Sequence, residues 1–261
     1  MDTTAYPAAD TAADTQLPAP VSAAFGGPLG VRRDRPGSVR QQVYASLRAG
    51  LLIGDFPVHQ RMGEERLAAT LAVSRTPVRE ALVLLAANGL LERREDGGYY
   101  PVQPDVAQLR DLYELRVTLE TRGVLRARES KAGHDKAVLE PLRDAWRALS
   151  EDPPAPDPAF VEVDESFHVE LLRASGNGAL TDTLRAVNAR IRPVRLYDFL
   201  TEARITATIQ QHLGIAETLL SGSVDAAAAL LQSHVGESLD VVERRAMRAI
   251  TQMALRTGVS R

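Results

Sequence analysis

The stretch Val73-Ser74-Arg75-Thr76-Pro77-Val78-Arg79-Glu80-Ala81-Leu82 constrains the fold more than any other part of the chain. Ser74 or Thr76 can cap a helix by accepting a backbone N–H with its hydroxyl. Pro77 then falls in the first turn, where a missing N–H breaks no intrahelical bond. Val78, Leu82 and Leu85 recur at i, i+4 and i+7, so one face is apolar and packs on a core. Arg75 and Arg79, four apart, share a different face at the N-terminal end. The planar fork of a guanidinium donates two hydrogen bonds at once, which suits phosphate and guanine. Two solvated arginines on any surface helix would look the same, so the flanking sequence has to decide.

Before this stretch, Glu64 to Ala72 carries Leu67 and Leu71 at i, i+4, separated from the next helix only by a tight turn at Val73-Ser74. Two short helices joined this way form a helix-turn-helix. After Leu85, Asn88-Gly89 is a helix-stop signal. Leu90 to Arg94 reads as a strand, Glu95-Asp96-Gly97-Gly98 as a turn, and Tyr99 to Val102 as the returning strand. A hairpin placed directly after the second helix is a wing. Pro101 cannot donate to a ladder, which implies that its edge is open.

From Leu67 to Val102 the chain resembles the winged helix-turn-helix of GntR-type bacterial transcription regulators, on the run VSRTPVREAL, then NGLL and a Gly-tipped wing. The resemblance implies contacts to double-stranded DNA from Ser74, Arg75, Thr76 and Arg79, with Gly97 and Gly98 at the wing tip. Some members of that family carry a DNA-reaching arginine near the start of the second helix. Here the region reads Glu64-Glu65-Arg66, and neither acid binds phosphate, so that contact does not carry over.

The whole chain is long enough for two domains. A net charge of −3 gives no global nucleic-acid signature, so the DNA argument is local. With no cysteine there is neither a disulfide framework nor a thiolate metal site. No apolar run approaches the ~20 residues of a membrane span. The N-terminus does not read as a signal peptide, and a cytoplasmic protein is expected. Residues 1–36, rich in Ala, Pro, Thr and Asp, are expected to be a disordered tail, with Arg32, Arg33 and Arg35 as a solvated linker or an arm on phosphate. Residues 37–104 form the winged domain, opening with a helix from Ser38 to Ile53 whose Val39, Val43, Leu47 and Leu51 share one face. His59, in the loop that follows, reads as an ordinary exposed histidine.

From Asp105 onward every periodic segment is helical. Asp105 and Gln108 can form a capping box for a helix to about Ser130, with Leu109, Leu112, Tyr113 and Leu119 inward and Arg116 among them. Further helices are expected over Val138–Leu149, from Asp157 or Pro158 to Ala174, over Ala179–Phe199 with a kink at Pro193, over Thr201–Leu220, and from Ser223 to about Ile250. The proline-rich EDPPAPDP interrupts them as an extended loop. The fold class is therefore mainly α: a winged helix-turn-helix followed, over 105–254, by an antiparallel bundle of six or seven helices, with 255–261 as a tail.

Asp164 and His168 are i, i+4 on one helix face, and His212 and His234 lie on the inward stripes of the last two helices. Any one of them would pass as a satisfied core histidine. Three together with a carboxylate point to a metal, because neutral imidazole is the commonest metal ligand. The order also resembles the FCD domain, the helical effector-binding domain behind GntR-type winged helices in the FadR-like branch. Asp164, His168, His212 and His234 match its ligand positions in turn, and the combined resemblance covers roughly Val39 to Ile250. It implies a divalent transition ion, which for this donor set means zinc, or nickel or manganese, rather than calcium or magnesium. It also implies that Arg116 faces a pocket for a small organic acid; an i, i+4 salt bridge to Glu120 is the other reading of that arginine. Asn188, on the helix carrying Pro193, is a further lining candidate.

These readings converge on a ligand-responsive regulator, usually a repressor in that family, binding an inverted repeat as a homodimer. The rival is a metal-dependent hydrolase, since histidine–carboxylate sites also activate water. Against it, Glu165 is rotated about 100° from Asp164 on the helix, leaving no acid or base beside the ligands. A helical scaffold with a structural ion is a third reading, which leaves the winged helix unexplained.

Overall fold

A reciprocal cap starts the first helix: the Ser38 hydroxyl accepts from the Gln41 N–H at 3.3 Å, and the Gln41 side chain accepts from the Ser38 N–H at 2.8 Å. The computed structural model describes residues 38–129 and 133–258, so the tail over 1–36 and its arginine arm lie outside the described residues. Helix α1 (Val39–Leu52) buries Val43, Leu47 and Leu51, while Val39 is 48% exposed and does not join the inner face. Helices α2 (Glu64–Leu71) and α3 (Arg75–Ala87) follow, joined through Ala72 in the left-handed region at φ 55°. Val78, Leu82 and Leu85 of α3 are fully buried, as the spacing requires.

Strands β1 (Leu91–Arg93) and β2 (Tyr99–Pro101) pair antiparallel with Leu91 opposite Pro101. Backbone bonds from Val102 to Leu90 and from Arg94 to Gly98 fix the alternation, so Pro101 occupies a non-hydrogen-bonded position and the ladder keeps all its bonds. The outer edge of β2 is not wholly open, because the Tyr99 carbonyl accepts from the Met62 N–H at 2.8 Å.

Among the described residues, six α-helices form the second domain: α4 (Val106–Leu125), α5 (Lys136–Glu151), α6 (Phe160–Arg173), α7 (Gly178–Arg195), α8 (Glu202–Leu220) and α9 (Val224–Gly258). The Asp105 carboxylate caps α4 by accepting from the Gln108 N–H at 2.9 Å. Helix α4 stops at Leu125, short of Ser130, in a tightened turn over Arg126–Arg128. Helix α7 also stops early. Pro193 falls in its last turn, and three-residue turns from Tyr197 to Val194 and from Asp198 to Arg195 end the helix before Phe199 rather than kinking it. Helix α9 continues to Gly258, so 255–258 belongs to the helix and not to a tail. Packing of α4 on α6, α7 and α9, and of α8 on α5 and α9, encloses one interior. Among the described residues no helix is long and apolar enough to cross a membrane.

The two domains meet through contacts that admit no bulk. Gly54, at φ 78°, sits so close to α9 that a Cβ there would lie 2.4 Å from the Ala249 carbonyl oxygen. Gly89, at φ 72° just past α3, would place a Cβ 2.6 Å from Cγ of Pro193. Beside Gly54, the buried Asp55 carboxylate accepts from Arg256 at 2.5 Å, and Arg48 donates to Asp157 in the proline-rich loop at 2.7 Å. Replacing Arg256 with Met leaves Asp55 buried without its partner, and is expected to lower stability by about 3 kcal/mol. The double variant Asp55→Leu/Arg256→Met should recover most of that deficit. Denaturant titration of the full chain reads both, and an unchanged midpoint for Arg256→Met would reject this clamp.

Candidate functional site

Helix α6 turns Phe160, Val161, Asp164, Phe167, His168 and Leu171 inward on one stripe. His212 of α8 stacks on Phe167, ring centroids 3.8 Å apart and planes at 8°, with Trp146 edge-on at 4.2 Å. His234 of α9 completes the group. The four side chains, all buried, each offer an atom within 4.8 Å of the others. Those atoms are the three Nε2 nitrogens and the Asp164 carboxylate. His212 Nε2 is 2.9 Å from His234 Nε2, which is 3.3 Å from His168 Nε2. Asp164 lies 3.5, 3.7 and 4.0 Å from the nitrogens of His212, His168 and His234.

The far side of two rings fixes their protonation. His168 Nδ1 donates to Glu120 at 2.5 Å and His234 Nδ1 donates to Gln211 Oε1 at 2.8 Å. With the proton held at Nδ1, a neutral ring presents a bare lone pair at Nε2. Burial pushes the His212 and His234 imidazoles well below their usual range, so both are neutral at ordinary pH. Burial alone would raise the Asp164 carboxyl, but the Arg195 guanidinium, with His168 alongside, outweighs it and holds the group well below the usual carboxylate range. The Nε2 lone pairs of His168 and His234 face each other across 3.3 Å and repel unless a proton or cation lies between them, and Asp164 Oδ1 and His212 Nδ1 are buried without a hydrogen-bond partner in the protein. The donor set therefore fits a divalent transition ion.

Arg116 makes the i, i+4 salt bridge to Glu120 that is one of its two sequence readings, and its far end lies beside the Asp164 group. Its Nε donates to Glu120 at 2.6 Å, while Nη2 is 3.9 Å from Asp164, and the side chain is fully buried. Nη1 and Nη2 have no hydrogen-bond partner within the protein, and neither does the amide of the buried Asn188. Three further residues belong to this centre beyond those expected there from the sequence. Glu120, which the sequence pairs only with Arg116, also orients His168. Gln211 orients His234 from beside His212. Arg195, fully buried and donating to Asp164 at 2.5 Å, lies seven residues past Asn188 on the same face of α7, and that spacing is a signal that could have found it. Another buried carboxylate, Asp198, accepts from Arg204 at 2.7 Å and from Ser238 at 2.8 Å. Glu165 faces elsewhere, bound by Arg192.

On the winged domain, Ser74 is the N-cap of α3, but its hydroxyl makes no capping bond; nor does a Thr76 hydroxyl supply one, because that residue is already inside the helix. Ser74, Arg75, Thr76 and Arg79 are all exposed. Arg79 donates to Glu64 from Nε at 2.9 Å and from Nη2 at 2.8 Å, and Arg75 Nη2 lies 3.6 Å from the same carboxylate. At the wing tip Asp96 accepts from the Gly98 N–H at 2.9 Å and from the Tyr100 hydroxyl at 2.8 Å. Gly97 is exposed, but Gly98, expected at the DNA surface, is buried next to Arg61. Arg61 and Arg93 are exposed basic groups of the wing region that no sequence motif singles out.

Comparison with known proteins places these two halves together. Residues 39–100 match the bacterial regulatory proteins of the gntR family, and residues 111–237 match the FCD domain. The Nta operon transcriptional regulator of Aminobacter aminovorans is 32% identical over 201 residues, covering 77% of this chain and 93% of that protein. The HTH-type transcriptional repressor RspR of Escherichia coli is 28% identical, covering 79% and 90%. The fold is also similar to that of Lar, which controls the expression of the Listeria monocytogenes agr system: TM-score 0.54 at 17% identity, over 81% of this chain and 99% of that one. With a gntR-type winged helix followed by an FCD bundle, this chain belongs to the GntR family of transcriptional regulators, and it is not an enzyme.

Proposed function

We propose that the protein is a homodimeric repressor that binds an inverted-repeat operator through α3 and its wing, and that a small organic acid bound in the helical domain controls it. The observation that carries this reading is the buried Asp164, His168, His212 and His234 group with Arg116 and Asn188, in a chain whose N-terminal domain presents Arg75 and Arg79 to solvent. RspR being a repressor supports the same sign of regulation here. Asp164, His168, His212 and His234 would hold the ion, with zinc the best match to three imidazoles and a carboxylate, and nickel or manganese next. Bound there, the ion would supply positive charge toward a carboxylate. Arg116 and Asn188 then offer the unpaired donors that a buried anion requires, since stripping water from a charge costs several kcal/mol. The hydrolase alternative has no support: Glu165 is bound by Arg192, and the relatives are regulators.

On the DNA side, Arg75, Arg79, Thr76, Ser74 and the exposed Gly97 form the contact surface, with Gly98 shaping the wing turn from beneath. Arg75→Ala/Arg79→Ala should weaken operator binding by at least tenfold, since each bidentate arginine–base pairing is worth about 1–3 kcal/mol. The fold should survive, because neither residue lies on the buried face of α3. Operator affinity equal to wild type would end the recognition-helix assignment.

For the ion, His212→Ala and His234→Ala should each strip most of the bound metal and lower the thermal midpoint, because the ligands come from three helices. Elemental analysis of the purified protein, and melting with added zinc, nickel and manganese, checks this and identifies the ion. A wild-type protein that carries no transition metal and melts unchanged with all three would refute it. For the effector, Asn188→Leu removes a buried amide that has no partner in the protein, and should raise the melting midpoint of the effector-free protein by about 2–4 °C. The same variant should abolish the effect of carboxylic acids on operator binding. Retention of that response would remove Asn188 from the pocket.

A further inference from the structure

The ion pair between the second helix and the recognition helix carries an inference of its own, which rests on the reading of α3 as the DNA-reading element. We propose that Glu64 is a positioning residue for base recognition, holding the Arg79 guanidinium so that the edge formed by its two terminal nitrogens is presented to a base pair. Glu64 is the first residue of α2, where the helix amides favour a negative charge. Its side chain is 24% exposed against 60% for Arg79 and 61% for Arg75, so the anchor is sheltered while the two cations project. The Arg79 pair is bidentate, engaging Nε and Nη2 at 2.9 and 2.8 Å.

A guanidinium carries five N–H donors, and this pair uses two of them. The remaining three include the fork across Nη1 and Nη2, which is the edge that matches guanine O6 and N7. A long side chain that is already held gives up less rotamer freedom on binding than a free one. Arg75 shares the same carboxylate at 3.6 Å, so one acid spaces the two cations and reduces their repulsion. The acid also subtracts charge from the surface that attracts phosphate irrespective of sequence. Glu64 thus lowers sequence-blind attraction while sharpening the reading of one base pair. A plain electrostatic brake would do only the first.

The test uses the full chain and a duplex enriched by the wild-type protein from a random pool, with a scrambled duplex of equal composition as reference. Binding of both duplexes is measured over a salt range for wild type, Glu64→Ala, Glu64→Gln, Arg79→Ala and Glu64→Ala/Arg79→Ala, and melting curves check that each is folded. Glu64→Ala should weaken binding to the enriched duplex about tenfold and flatten preference at the same base pair that Arg79→Ala flattens. Binding to the scrambled duplex should hold or rise. Glu64→Gln, which keeps one acceptor oxygen, should fall between, and Glu64→Ala should change no preference in the Arg79→Ala background. If Glu64→Ala tightens both duplexes by one factor, or leaves their ratio unchanged, Glu64 does not position Arg79 and the proposal is overturned. If Arg79→Ala keeps wild-type preference at every base pair, the recognition-helix reading fails and takes the proposal with it, a separate and distinguishable result.

Discussion

The bundle is organised around a charge problem. A carboxylate and three imidazoles buried at one point are tolerable only when each lone pair meets a proton or a cation. Here the outer nitrogens of two rings take protons toward Glu120 and Gln211, Arg195 binds Asp164, and the Nε2 nitrogens of the three rings face one another. Every long helix of the domain except α5 supplies a residue to that arrangement: Glu120 from α4, Asp164 and His168 from α6, Arg195 from α7, Gln211 and His212 from α8, His234 from α9. Even α5 takes part at one remove, through Trp146 against the His212 ring. The polar centre thus sets the register in which five helices pack, which an apolar core of similar volume would leave freer.

Much of this is legible in the sequence because periodicity reports which face of a helix is buried. The i, i+4 pair of Asp164 and His168 and the inward stripes of α8 and α9 are enough to bring four ligating groups together. The supporting residues are harder to read, since a buried Arg or Gln obeys no spacing rule of its own until its partner is known. Arg195 lies beyond Pro193, in a turn where proline speaks to the backbone and says nothing of the neighbouring side chain. Helix ends differ from expectation where short-range turns intervene, at Leu125 and Arg195, and where nothing in the composition marks a stop, as in α9 running to Gly258. The pairing of Arg79 with Glu64 is hidden for a different reason. An acid near a DNA-binding helix cannot touch phosphate, but it can hold an arginine, and only the fold brings the two within reach.

Helices α4, α7 and α9 each connect the polar centre to the winged domain, α9 by carrying His234 and packing Ala249 and Arg256 against Gly54 and Asp55. Helix α4 carries Arg116 and Glu120 and begins just after β2, with only Val102 to Asp105 between. Helix α7 carries Asn188 and Arg195 inward, and its Pro193 touches Gly89 at the end of α3. A rotation of α7 that moves Arg195 against Asp164 also moves Pro193 against Gly89, just past α3. Between these contacts lies a groove of about 180 Å³ lined by Leu90, Val102, Pro104, Leu109 and Ile191, so the junction is closely but not completely filled.

The two glycines at that junction bear on how such a protein can be recombined. Regulators built from a DNA-reading module and a sensing module invite exchange of one half for another. Gly54 and Gly89 tie each half to the surface of the other, because any side chain there would meet the Ala249 backbone or the Pro193 ring. A foreign winged domain grafted onto this bundle would need small residues at both places, and a partner for Arg256. The winged domain and the helical bundle are matched as surfaces, and a graft that ignores the match would separate them mechanically.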